Sequence, residues 1–290
     1  MRVTIDGFDY CSIAARATRY RVGVAGSGPP VLLLHGFPQN HYCWHRVAPA
    51  LSARHTVVLC DLKGYGESVA APGGRRGEGY SKREIAAELL QVMAQLGFDR
   101  FAVIGHDRGA RVAYRLALDH TEAAARLCVL NIVPTVDQFE QMARQIALDY
   151  YPWLFLAQPA PFPERLIAGD AEYFLRHTLS AWTATENAID EAAVERYLAT
   201  FTPPVIAAIC ADYRASFHLD RPLDEADREA GRMITCPVLV HWGAEDIADP
   251  LPVWRRWCER VEGHALPGGH FIPEEAPEPL VRSLQSFLGA

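Results

Sequence analysis

Short apolar runs alternate with amphipathic stretches along much of the chain. Val31 to Leu34, Thr56 to Cys60, Phe101 to Ile104, Leu127 to Leu130 and Val238 to Trp242 are nearly unbroken hydrophobic segments, the pattern of strands buried on both faces of a parallel sheet. Helix-compatible segments lie between most of them. In Lys82 to Leu96, the residues Ile85, Leu89, Val92 and Leu96 recur at three- and four-residue steps, which predicts a helix with one face on that sheet. Ala110 to Leu118, close behind the third run, reads as another. The alternation predicts an α/β fold with a mostly parallel central sheet flanked by helices.

Between Pro134 and about Ala230 the pattern changes to aromatic-rich, helix-compatible stretches interrupted by Pro152, Pro159-Ala-Pro161-Phe-Pro163 and Pro203-Pro204. The expected organisation is a core of residues 1–134 and 231–290 with a helical cap, 135–230, inserted after the Leu127 to Leu130 strand. Ligands in open α/β sheets bind beyond the carboxyl ends of the strands, so such a cap would roof the pocket.

With 290 residues, half of them hydrophobic, the chain can build one large core. Its net charge of -7 argues against nucleic acid as a partner, while leaving room for a local cluster of arginines that holds a small anion. The seven cysteines are scattered, with neither a C-x-x-C pair nor zinc-like spacing, which predicts reduced thiols, no metal site and a cytoplasmic setting. The amino terminus has no basic segment leading into an apolar one, and no run approaches the roughly 18 apolar residues needed to cross a bilayer. Ala70 to Gly79, rich in Gly, Ala and Arg, reads as a surface loop.

Chemistry concentrates at the strand ends. Gly105-His-Asp-Arg-Gly109 follows one strand and leads into a helix, matching the G-x-S-x-G nucleophile elbow with Asp107 at the centre in place of serine. A carboxylate attacks without losing a proton and gives an ester whose carbonyl can then be hydrolysed, so an sp3 carbon bearing a leaving group is the suitable target. The alternative for Asp107 is an ordinary helix N-cap. His35-Gly-Phe-Pro38, Gly243-Ala-Glu-Asp246 and Gly268-Gly-His270 stand at other strand ends, so that Asp107, the Glu245-Asp246 pair and His270 follow the chain order nucleophile, acid, histidine. Arg108 and Arg111 lie one helical turn apart beside Asp107, where two guanidinium forks could hold a carboxylate.

These stretches, with Trp44-His-Arg-Val-Ala-Pro49, Asp61-Leu-Lys-Gly-Tyr-Gly66, Phe155-Leu-Ala-Gln-Pro159, Asp212-Tyr-Arg-Ala215 and Gly269-His-Phe-Ile-Pro-Glu-Glu-Ala-Pro277, make the chain resemble α/β-hydrolases over essentially its full length, and haloacetate (fluoroacetate) dehalogenases most. The resemblance implies that Asp107 displaces halide beside a substrate carboxylate bound by Arg108 and Arg111, and that His270 activates water against the aspartyl ester. Backbone N–H groups of Phe37 and Arg108 would form the oxyanion hole. The resemblance implies no metal or organic cofactor, and a homodimer formed through the cap.

Two positions depart from that pattern. The family can carry its triad acid where this chain has Asn131; the expected replacement is Asp246, with Glu245 and then Asp249 as alternatives. The family's halide pocket uses a His-Trp pair and a cap Tyr, whereas the aligned residues are Pro152-Trp153 and Tyr213. His177, His218 or Tyr151 could supply the missing donor, and fluoride, the most strongly hydrated halide, should suffer most without it. Epoxide hydrolysis is the competing activity, with Tyr213 and either Tyr151 or Tyr150 protonating the opened ring. A non-catalytic protein holding a small ligand is the third reading.

Overall fold

The computed structural model describes residues 2–142 and 144–289; Met1, Ala143 and Ala290, which the expected segment boundaries include, lie outside the described residues. Eight strands form a single sheet, β1 (Asp9–Ala15), β2 (Thr18–Ala25), β3 (Pro30–Leu34), β4 (Thr56–Cys60), β5 (Phe101–His106), β6 (Ala124–Leu130), β7 (Val238–Gly243) and β8 (Val261–Leu266), in the order β1-β2-β4-β3-β5-β6-β7-β8. β1 with β2 and β2 with β4 pair antiparallel, and the remaining neighbours pair parallel. The five apolar runs are the five central strands, and β5 and β7 are buried along their whole length.

The flanking helices follow the sequence cues. Ser81 caps the Lys82–Gln95 helix in a reciprocal capping box with Glu84, and Ile85, Leu89, Val92 and Met93 line its buried face. The chain runs from β3 outward to β4 and then returns to β5 on the other side of β3. The crevice at this reversal is where a doubly wound sheet opens for a ligand. His35 to Phe37, after β3, and Asp107, after β5, border it.

Between β6 and β7, residues 135–230 form only helices and their connections among the described residues. Pro152, Pro163, Pro203 and Pro222 sit in the first turns of helices, where a missing N–H costs nothing. These prolines start helices rather than merely interrupting them. A single π-turn, Ser216–Asp220, joins the Pro203–Ala215 and Arg221–Glu229 helices. No helix among the described residues is long and apolar enough to cross a membrane.

Candidate active site

Asp107 links β5 to the Arg108–Asp119 helix with φ 44° and ψ -113°, a conformation that costs a non-glycine residue energy and persists only when its surroundings enforce it. Two close approaches do so. A Cβ on Gly109 would stand 2.4 Å from the carbonyl oxygens of Leu34 and His35, and one on Gly36 would stand 2.6 Å from Asp107 Cβ. Helix, β3 loop and elbow therefore fit together only with glycine at both places. Although Asp107 occupies the N-cap position, its side chain makes no capping hydrogen bond. Instead, Oδ2 accepts from the backbone N–H of Phe37 at 3.0 Å, and Oδ1 has no protein partner among the described residues.

Burial raises the proton affinity of Asp107, but His270, Arg108, His106 and Arg111 outweigh it and hold the carboxyl below its ordinary range. The side chain is thus an anion in a nearly dry site, 5% exposed. His270 lies in the loop after β8, and its Nδ1 is 2.9 Å from Asp246 Oδ2, in the loop after β7. Its Nε2 is buried and unpartnered among the described residues. Burial disfavours the imidazolium, yet the charge and hydrogen bond of Asp246, followed by the charge of Asp107, leave the His270 pKa above its ordinary value.

Asn131, at the end of β6 with φ 57°, joins three loops. Its Oδ1 accepts from Gly243 N at 2.7 Å, and its Nδ2 reaches Asp246 Oδ2 at 2.9 Å, His270 O at 2.7 Å and Gly269 O at 3.0 Å. An amide suits this place because it must donate on one side and accept on the other. Glu245, beside Asp246, is exposed, and Asp249 accepts from Leu251 N in its own turn. Neither reaches His270 among the described contacts.

Arg108 and Arg111 are fully buried but differ in how their charge is met. Arg108 donates through Nε to Asp212 Oδ2 at 2.6 Å and through Nη2 to Asp212 O at 3.0 Å and Ser216 Oγ at 2.7 Å. Lys82 pairs with the other oxygen of Asp212 and lies 3.6 Å from Asp220, so two cations and two anions form a buried network. Among the described residues Arg111 donates only to neutral acceptors, Val133 O at 3.0 Å and Thr135 Oγ1 at 3.3 Å. One donor of each guanidinium, Arg108 Nη1 and Arg111 Nε, is buried with no partner among the described residues.

Trp153 brings the two arginines together, with its ring 5.1 Å from the Arg108 guanidinium carbon and 4.4 Å from that of Arg111. Tyr213 lies 4.1 Å from Arg108, 5.6 Å edge-on from Trp153 and 5.5 Å from Phe37. Neither Trp153 Nε1 nor Tyr213 Oη has a protein partner among the described residues. The other suggested donors lie elsewhere. His177 is exposed and stacks on Tyr173, His218 packs against Phe217, and Tyr151 turns its ring toward Phe155 and its hydroxyl toward Thr178.

Sequence reading did not assign three contributors: Asp212 as the carboxylate behind Arg108, Trp182 with its ring 5.1 Å from His270, and Tyr150, whose hydroxyl donates to Asp246 Oδ1. Asp212 stood in a quoted motif, and Tyr150 was considered only for ring opening. Tyr150, Tyr151, His177, Trp182, Glu245 and Asp246 line a cleft of about 470 Å³ beside Asp246. Among the described residues no group of three or more His, Cys, Asp or Glu side chains could hold a metal ion.

Comparison with known proteins places the chain among relatives of the same fold. A family model described as alpha/beta hydrolase fold matches residues 29–277. The chain is 42% identical to a fluoroacetate dehalogenase from a Burkholderia species, over 98% of this chain and 94% of that one. It is 31% identical to a soluble epoxide hydrolase from a Corynebacterium species, over 91% of each. A solved structure of a candidate epoxide hydrolase from Pseudomonas aeruginosa superimposes with a TM-score of 0.94 at 47% identity, covering 100% of this chain and 98% of that one.

Proposed function

The chain belongs to the α/β hydrolase fold family, and from that premise we propose that it hydrolyses a small 2-haloacid to the hydroxy acid through a covalent ester on Asp107. Two unpartnered buried donors, Arg108 Nη1 and Arg111 Nε, carry the choice of an anionic substrate. Buried N–H groups are nearly always satisfied, and a carboxylate bound between them would complete both arginines with charge-assisted bonds.

In the first step Asp107 Oδ1 attacks the halogen-bearing carbon, and the bonding electrons leave with the halide. Trp153 Nε1–H and Tyr213 O–H are the free donors available to the departing ion. Oδ2 becomes the ester carbonyl oxygen, already held by Phe37 N–H, with the Arg108 backbone N–H as the second expected donor. In the second step His270 Nε2 takes a proton from water, and the hydroxide adds to the aspartyl carbon. Collapse frees the hydroxy acid, whose new oxygen came from Asp107, and the proton on His270 goes to the departing alkoxide. Asp246 orients the ring and stabilises the imidazolium. Esterification also removes the Asp107 charge that supports protonated His270, so the base becomes readier when it is needed.

Epoxide hydrolysis is the second reading, supported by the Tyr213 phenol and the Corynebacterium relative. Among the described residues neither candidate for a second ring-opening tyrosine is free at Asp107, since Tyr150 is engaged with Asp246 and Tyr151 faces Phe155. Incubation with chloroacetate, bromoacetate, fluoroacetate and styrene oxide, scored for halide and diol, separates the two. Halide without diol is expected, with fluoride released slowest because Pro152 offers no donor. Diol without halide would overturn the dehalogenase assignment.

A further inference from the structure

Tyr150 stands between the Arg144–Asp149 and Pro152–Phe155 helices, far in sequence from the strand-end loops that supply the proposed triad. Its hydroxyl donates to Asp246 Oδ1, while Asp246 Oδ2 accepts from Asn131 and faces His270. Both oxygens are therefore occupied, one by the core and one by the inserted helices. The Tyr150 ring lies 5.8 Å from Trp182, which in turn lies 5.1 Å from the His270 ring.

Resting on the covalent-ester reading above, we propose that Tyr150 is a positioning residue that acts through Asp246 on His270. Its hydroxyl fixes the carboxylate so that Oδ2 faces Nδ1, and it draws part of the carboxylate charge away from the imidazole. A carboxylate that already accepts a hydrogen bond stabilises a facing imidazolium less than a bare one does. Tyr150 thereby lowers the basicity that Asp246 would otherwise confer, and His270 stays neutral enough to take a proton from water.

The other groups around His270 are Asp107 and His106 from the end of β5 and Glu275 from the following turn, with neutral Asn131, Trp182 and Phe271. Glu245 adjoins Asp246 and is exposed. Of all these, Tyr150 is the donor delivered by the inserted helices to the triad acid.

The experiment is a proton titration of His270, followed by NMR on histidine-labelled protein without substrate, in wild type and Tyr150→Phe, with His270→Gln used to assign the signal. The phenylalanine keeps the ring against Trp182, and an unchanged thermal midpoint certifies the fold. Loss of one hydrogen bond should raise the His270 midpoint by about half to one pH unit. If Tyr150→Phe does not fold, replacing tyrosine with the more acidic 3-fluorotyrosine should strengthen the donor and lower the midpoint. A midpoint that does not move in the folded variant overturns the proposal. Because no substrate enters, absence of halide release in turnover assays would count against the proposed reaction and leave the titration result standing.

Discussion

The side-chain amide nitrogen of Asn131 lies 2.9 Å from Asp246 Oδ2, the oxygen that also stands 2.9 Å from His270 Nδ1. One residue therefore supports Asp246 and, through the carbonyls of Gly269 and His270, the loop that carries His270. Asn131 thus ties Asp246, from the loop after β7, to the loop that carries His270.

Asn131→Asp should consequently harm rather than reinforce the triad. An oxygen in place of Nδ2 would face three acceptors with no donor, at a cost of about 1–3 kcal/mol. The new carboxyl would be ionised with difficulty beside Asp246, so its folded pKa would exceed its unfolded one. The deficit should then grow as pH rises above the unfolded value and shrink toward pH 4. Denaturant unfolding at pH 5 and pH 8 measures it; equal stability to wild type at pH 8 would contradict this account.

Asp246→Asn should divide the two chemical steps. Attack by Asp107 needs no base, so the first-turnover burst of halide should persist. Hydrolysis of the ester should slow by about 10³–10⁴-fold, the scale on which a triad acid acts. Mass spectrometry of the quenched variant should find the adduct on the peptide bearing Asp107; normal turnover would remove Asp246 from the triad.

The two arginines should fail differently. Arg108→Met leaves Asp212 buried with Lys82 as its remaining close cation, so about 3–5 kcal/mol of stability should be lost along with substrate binding. Arg111→Met abandons only neutral acceptors and should cost stability about 1–3 kcal/mol. Each should raise KM for a haloacid about 10- to 100-fold, the worth of one charge-assisted hydrogen bond. Unfolding curves and KM values for both variants test this contrast.

The pH profiles of the two steps should separate. Asp107 attacks as an anion and its pKa is depressed, so the halide burst should survive into acid. His270 accepts a proton only when neutral, and in the ester it keeps the support of Asp246 while losing that of Asp107, so ester hydrolysis should fall as pH drops through the His270 value of the ester. Stopped-flow halide detection against steady-state rate, across pH 4 to 9, should give two limbs with the burst limb at lower pH; coincident limbs would refute the division of labour.

The central sheet was legible because β3 to β7 are nearly continuous apolar runs, and a strand buried on both faces has no other way to be written. The edges were not read: β1 exposes Asp9, Cys11 and Ser12, and β8 carries exposed Glu262, His264 and Ala265, so neither shows a run. Asp107, Arg108 and Arg111 could be read as a site because an elbow and one helical turn fix them locally. Asp246 was expected beside His270 and lies there, but what stands behind each arginine could not be read. Tyr150 and Asp212 reach their partners across 96 and 104 residues, and local pattern carries no record of how a set of helices docks on a sheet. The sequence by itself determined the layers and placed Asp107, the proposed nucleophile, at the elbow, through burial and backbone geometry. Only tertiary packing decided how the charges around that nucleophile are paired, because in a dry interior each charge is set by its three-dimensional neighbours.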